Sequence, residues 1–200
     1  MNSARVLPIA QPHARRRPQP LPYPDYPIER RIRSHAHDFQ LTFAEEAATR
    51  IHERYDDALL APARAGLLIL GRNEQALKEP TDAVRALYPW KLEVGAACVR
   101  YQEGEVTREP MMLVTVNVAR FHAEAVRADL ASRTEQPVTV DFAYDRAMVK
   151  AKVRLARLLG YAQSLEGLSR DQAEAKVWLS EWVPVAGGDG PQGPEGPEAA

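Results

Sequence analysis

One cysteine, Cys98, occurs in 200 residues, so no internal disulfide can form and nothing points to an oxidising compartment. No apolar run approaches the roughly 18 residues that a membrane-spanning helix needs. The first residues, MNSARVLPIAQPHARRRPQPLP, contain no uninterrupted apolar stretch of the signal-peptide kind. These absences predict a cytoplasmic protein with no membrane contact. Net charge is also scarce: 26 Lys and Arg against 27 Asp and Glu leave a formal −1, too little for a global field toward nucleic acid or lipid. No Gly-x-x-x-x-Gly-Lys-Ser/Thr loop occurs, so the backbone cradle and lysine of a phosphate-binding loop are missing and no nucleotide or other cofactor is expected.

No catalytic constellation stands out, and the chain reads as no enzyme. His35 and His37 would share one face of a strand, with Asp38 and His52 nearby, but no third ligand stands at a diagnostic metal spacing, so no metal is expected. Cys98 has no histidine partner motif and reads as a small core residue beside Val99.

What is present is unevenly distributed. The first 33 residues carry seven arginines against Asp25 and Glu29, together with seven prolines that remove amide donors and favour extended backbone. Residues 1–30 are therefore expected to form a disordered basic arm. Arg15, Arg16, Arg17, Arg30, Arg31 and Arg33 are the candidate phosphate contacts. Residues 186–200 are acidic and rich in Gly-Pro, with too few triplets for a triple helix, and read as a second disordered tail.

Between the tails the hydrophobic period switches repeatedly. In residues 31–103, DFQLTF alternates as a strand does, and a helix is expected to place Ala47, Ile51, Tyr55 and Leu59 on one face. The apolar run Leu67 to Leu70 stops at Gly71; Asn73 can cap the next helix, and Trp90, Leu92 and Val94 open a last strand. In residues 109–185, MMLVTVNV sets Met112, Val114, Val116 and Val118 on one face. A helix with Phe121, Ala125, Val126 and Leu130 inward follows it. Two alternating runs then meet at Asp145-Arg146 as a hairpin, a second helix runs from Leu155 to a stop near Gly167, and EAKVWLSEWVPV closes the unit. The order βαββαβ predicts an α+β protein of two ferredoxin-like (split βαβ) domains.

EPMMLVTV and VRLARLLGYAQSLEGLS resemble the C-terminal domain, domain V, of the translation elongation factor G family. Glu109, Pro110, Met112, Arg133, Gly160 and Tyr161 fall at that family's spacing. LGRNEQAL and YPWKLEVGAACVRYQE are similar to its domain III, through Gly71, Glu74, Val94, Gly95 and Tyr101. In the family the segment after the Val-x-Tyr strand leads into a further domain, domain IV; here it is the short stretch GEVTR, residues 104–108. The resemblance implies a ribosome- or RNA-associated translation accessory factor, without GTPase or translocase activity, whose partners are rRNA or ribosomal proteins. The open sheet face carries no aromatic stripe, so stacking of bases across it is not expected. The alternative is a protein-interaction scaffold or homodimer unrelated to the ribosome, which exposure of Trp178 or Trp182 would favour.

Overall fold

The structure is a computed structural model that describes residues 21–51, 55–89, 91–170 and 173–185. Most of the basic arm, including Arg15, Arg16 and Arg17, and the acidic tail lie outside the described residues.

The first unit runs β1 (Ile28–Ser34), α1 (Gln40–Arg50), β2 (Ala58–Ala63), β3 (Gly66–Gly71), α2 (Lys78–Leu87) and β4 (Leu92–Val99). Its antiparallel sheet has the order β2-β3-β1-β4, the split βαβ arrangement. Ile28, Ile32, Leu67 and Ile69 on the covered face pack with Phe43, Ala44 and Ala47 of α1, Val84 of α2, and Leu77 just before it. Each of the fully buried Ile, Leu, Phe and Val side chains among these contributes about 1.5–3 kcal/mol relative to exposure. Pro80 lies in the first turn of α2, where its missing N–H costs no helical bond.

The second unit repeats the topology with β5 (Arg108–Ala119), α3 (Ala123–Arg133), β6 (Thr139–Ala143), β7 (Arg146–Arg154), α4 (Leu155–Leu158), α5 (Tyr161–Ser169) and β8 (Glu174–Pro184). Sheet order is β6-β7-β5-β8. Met112, Val114, Val116 and Val118 are fully buried, as the alternation predicts, and pair with Val153, Ala151, Val149 and Ala147. Among the described residues no helix is long and apolar enough to cross a membrane.

Several local expectations are corrected. DFQLTF is not a strand: Gln40 opens α1, its side chain accepting from the Ser34 amide at 3.0 Å and donating to Ser34 and His37 carbonyls at 2.8 and 3.0 Å. Phe39 is left exposed while Phe43 and Ala47 turn inward, four residues apart. The first strand is IERRIRS instead, a central strand that hides behind four charged residues. The arm therefore ends before residue 28, not at 30. Helix α1 stops at Arg50, so Tyr55 and Leu59 do not share its face. In α3 the inward set is Ala123, Val126 and Leu130, while Phe121 and Ala125 face water, because the helix begins after a 3-10 turn at 120–122. The last helix breaks at Leu159-Gly160 and then passes Gly167, ending at Arg170 in a left-handed conformation (φ 49°). Cys98 is exposed on edge strand β4.

Candidate functional site

The motif residues of the two units meet at one seam. After β3, Gly71 turns the chain so tightly that a Cβ there would sit 2.8 Å from Leu77 Cδ2 and 2.9 Å from the Asn73 carbonyl oxygen. Asn73 Oδ1 accepts from the Ala76 amide at 3.0 Å, capping the following turn, and its Nδ2 donates to the Val177 carbonyl of β8 at 3.2 Å. Glu74 Oε2 accepts from the Gly160 amide at 2.7 Å. Gly160 has φ 75°, a conformation that favours glycine, and it frees this amide by interrupting the helix between α4 and α5.

Behind Gly160, Tyr161 is buried. The Arg133 guanidinium lies 5.2 Å from its ring centroid. Arg133 also holds Asp129 at 2.9 and 3.3 Å, the Arg157 carbonyl at 3.0 Å and Ser164 Oγ at 3.1 Å. One arginine thus ties α3 to α4 and α5. Burial, aided by the Asp129 carboxylate and opposed by Arg133, pushes the Tyr161 phenol well above its ordinary range. Among the described residues its buried hydroxyl has no hydrogen-bond partner. The space left between the 73–75 turn, Leu155, Tyr161 and Val177 is about 40 Å³. That holds about one water molecule and is far below the few hundred Å³ of a ligand pocket.

The junction between the units is closed. Gln102 and Arg108 exchange both backbone hydrogen bonds at 2.9 Å, and the Val185 amide donates to the Thr107 carbonyl at 3.1 Å. Residues 103–107 form only the loop of this closure. Glu109, the next residue, is buried and ion-paired with Arg154, which also donates to the Pro184 carbonyl at 3.1 Å. Pro110 pairs only with Trp182 of β8, since β7 joins β5 from Met111 onward, so its lack of an N–H breaks no ladder there. In the first unit Val94 pairs with Ile32, and a Cβ on Gly95 would lie 3.1 Å from the Arg31 carbonyl oxygen, at an irregularity in the β1–β4 register. Tyr101 lies half-buried between β4 and the closure.

The candidate phosphate contacts divide. Arg30 lies on the covered face, its Nη1 donating to Thr81 Oγ1 at 3.4 Å, and is not free for RNA. Arg31 and Arg33 are exposed, with Arg33 Nε donating to the Ala65 carbonyl at 3.2 Å. Sequence reasoning missed Arg100. Its guanidinium is buried and donates to the carbonyls of Pro22, Tyr23 and Tyr26 at 2.6, 3.0 and 2.7 Å, with Glu29 3.4 Å away. It pins the segment before β1 to the first unit. Only the Arg-Tyr doublet after a strand could have signalled it. His37 bonds Ser34 Oγ through Nδ1 at 2.9 Å, and among the described residues no three ligating side chains cluster as a metal site.

Residues 106–190 match the family described as Elongation factor G C-terminus. The second unit is similar to the C-terminal domain of elongation factor G. A longer similarity runs over both units: the mitochondrial ribosome-releasing factor 2 of Danio rerio is 25% identical over 159 residues. That similarity covers 74% of this chain and 21% of the zebrafish protein, so the chain spans about a fifth of that relative. A crystal structure of a protein from Thermus thermophilus superposes with a TM-score of 0.56 at 12% identity, over 82% of this chain and 42% of that one. The likeness to it is one of fold. The chain thus resembles elongation factor G in domains III and V, joined directly across the 103–107 loop where domain IV would stand.

Proposed function

We propose that the protein is a ribosome- or RNA-associated translation accessory factor that acts by docking, through these two domains, without GTP hydrolysis or translocase activity of its own. The observation that carries this reading is the closed junction: the Gln102–Arg108 pairing and the seam at Glu74 and Asn73 hold the two units against each other with no inserted domain. The zebrafish relative is named as a ribosome-releasing factor, and its similarity spans both units. The absence of a phosphate-binding loop in the 200 residues supports a non-hydrolytic role. Exposed Arg31 on the open strand face, and Arg15 to Arg17 in the arm, supply charge for phosphates.

Sedimentation through sucrose with purified ribosomes at low salt tests the reading. Recovery of the full chain only in free fractions refutes it. The arm is assigned by removing residues 1–20, a cut that spares the Arg100 contacts and β1; loss of sedimentation on this cut would give the arm its role.

A second reading, homodimerisation or scaffolding through the open face of the second sheet, is favoured by Trp178, whose side chain is 43% exposed beside partly exposed Leu113. Lysines on this face are already neutralised, Lys152 by Glu181 at 2.7 Å and Lys150 by Asp141 at 3.1 Å, as suits a protein surface more than a phosphate track. Light scattering decides it: a monomeric mass at high concentration removes the dimer.

A further inference from the structure

At one corner of the second unit three aromatic rings face water: Phe121 is 76% exposed, Phe142 57% and Tyr144 98%. The fold brings them together. Ala119 of β5 and Ala143 of β6 both pair with Arg146, and the Arg120 amide donates to the Asp145 carbonyl at 2.8 Å. The turn into α3 is thereby stitched to the tip of the β6–β7 hairpin. The Arg120 guanidinium lies 5.0 Å from the centroid of Phe142, and the rings of Phe121 and His122 are 4.1 Å apart.

Folding does not account for these rings. None is buried, and Tyr144 occupies a left-handed position (φ 50°) where glycine or asparagine is the usual turn residue and where another side chain costs about 1 kcal/mol. Eight of the sixteen described arginines sit against carboxylates, as Arg133, Arg127 and Arg154 do. Arg120 and Arg146 have no carboxylate partner among the described residues; Arg146 instead donates to Asn117 Oδ1 and O at 2.8 and 3.1 Å. Of the nearby acids, Asp141 is neutralised by Lys150. Asp145 lies in the hairpin turn itself, and exposed Glu174, 3.9 Å from Lys176, pairs with Asn117 beside Arg146.

Arg120 directly precedes Phe121 in one segment, and Phe142 and Tyr144 stand in the hairpin that ends at Asp145-Arg146 in the other. The core of a protein interface is depleted of charge, whereas open π-faces beside unneutralised guanidinium groups are what unpaired bases and their phosphates require. We propose that this corner binds unpaired RNA bases, with Phe121, Phe142 and Tyr144 as stacking surfaces and Arg120 as the phosphate contact. The inference rests on the ribosome- or RNA-associated reading above and specifies the surface that would serve it. The rings stand at the hairpin tip and helix entry, away from the open sheet face, which lacks an aromatic stripe.

The test uses the full chain and the triple variant Phe121→Ser, Phe142→Ser, Tyr144→Ser. Both are titrated with a short, mixed-sequence, fluorescein-labelled single-stranded RNA and with a duplex of the same length, and both are sedimented with ribosomes. Because all three side chains are exposed, the urea midpoint should not fall, which verifies the fold. The expected result is preference of the natural chain for single strands, a loss of about tenfold in affinity per ring removed, and weaker sedimentation of the variant. Arg120→Gln should flatten the salt dependence of binding.

Equal RNA affinity of the natural chain and the variant, or preference for duplex, overturns the inference. If both sediment equally well with ribosomes, the corner is not the contact, yet the ribosome reading stands. If the natural chain binds single strands through the rings and never sediments with ribosomes, the corner stands and the ribosome reading falls. Loss of sedimentation in the variant, with no RNA binding by the natural chain, makes the partner a ribosomal protein and overturns the RNA assignment.

Discussion

Replacing Arg100 by methionine should release residues 22–27 from the first unit while leaving the sheet paired. The natural guanidinium makes three hydrogen bonds to backbone carbonyls, at 2.6, 2.7 and 3.0 Å, and lies 3.4 Å from Glu29. Bonds to a charged group contribute about 1.5–3 kcal/mol each, which would sum to about 4.5–9 kcal/mol. Two effects reduce that figure. The guanidinium is buried, and desolvation lowers its pKa despite Glu29, so removing the charge relieves a cost. The freed carbonyls belong to a segment on the surface and regain water once it lifts. A net loss of about 2–3 kcal/mol follows, or about 5–10 °C in melting temperature for a chain of this size. Urea unfolding measures the loss. Hydrogen exchange locates it, since the Tyr26 amide, now bonded to the Tyr23 carbonyl at 3.2 Å, should exchange much faster, while the Arg100 amide keeps its 2.8 Å bond to Pro27. Arg100→Lys should recover only part of the stability, because an ammonium lacks the planar fork that spans several carbonyls. A loss below about 0.5 kcal/mol in Arg100→Met, with Tyr26 exchange unchanged, would refute the assignment of Arg100 as the anchor.

Four further substitutions have expected outcomes. Tyr161→Phe removes a buried hydroxyl that has no partner among the described residues, so urea unfolding at neutral pH should show no loss and up to about 1 kcal/mol of gain. The Tyr161 phenol titrates higher in the folded chain than in the unfolded one, so its contribution is intact below the ordinary tyrosine pKa of about 10 and lost as pH rises above it; Tyr161→Phe should be less sensitive to alkali. Gly71→Ala drives a methyl to 2.8 Å from Leu77 Cδ2 and should cost about 1–3 kcal/mol in urea unfolding. Glu74→Ala leaves the Gly160 amide unbonded; that amide should exchange faster and small-angle scattering should show the two units spreading, with a stability change of only about 0.5–1.5 kcal/mol. Trp178→Ser should cost about 1–2 kcal/mol in unfolding, since more than half of Trp178 is covered, and should abolish any dimer seen by light scattering if the second reading holds.

The second unit was more legible than the first. Its central strand β5 carries four buried side chains in strict alternation, and its hairpin runs meet within one residue of the observed turn, so period alone located them. In the first unit the central strand IERRIRS alternates too, but arginines on the open face and Arg30 on the covered face mask the signal. DFQLTF offers a false alternation that fits a helix start equally well, because three apolar residues at a spacing of two are too few to separate the periods. Inward positions of α3 failed for a related reason: a 3-10 turn shifts the phase of the helix, and nothing in RFHAEAV announces the shift. At the candidate site, Gly71, Glu74, Arg133, Gly160 and Tyr161 were all visible as motif residues, but their convergence was not.

The sequence by itself determined the α+β class, the βαββαβ order of the second unit, the short junction at residues 104–108 and the absence of a phosphate-binding loop, because periodicity, turn chemistry and motif spacing are local properties of the chain. Only the tertiary structure decided that Glu74 reaches Gly160, 86 residues away, and that Arg100 holds Pro22, 78 residues away. It also gathered Phe121, Phe142 and Tyr144 at one solvent-facing corner. Contacts of such separation depend on how two sheets and their helices close on one another. A side chain's partner across that distance leaves no period in the sequence.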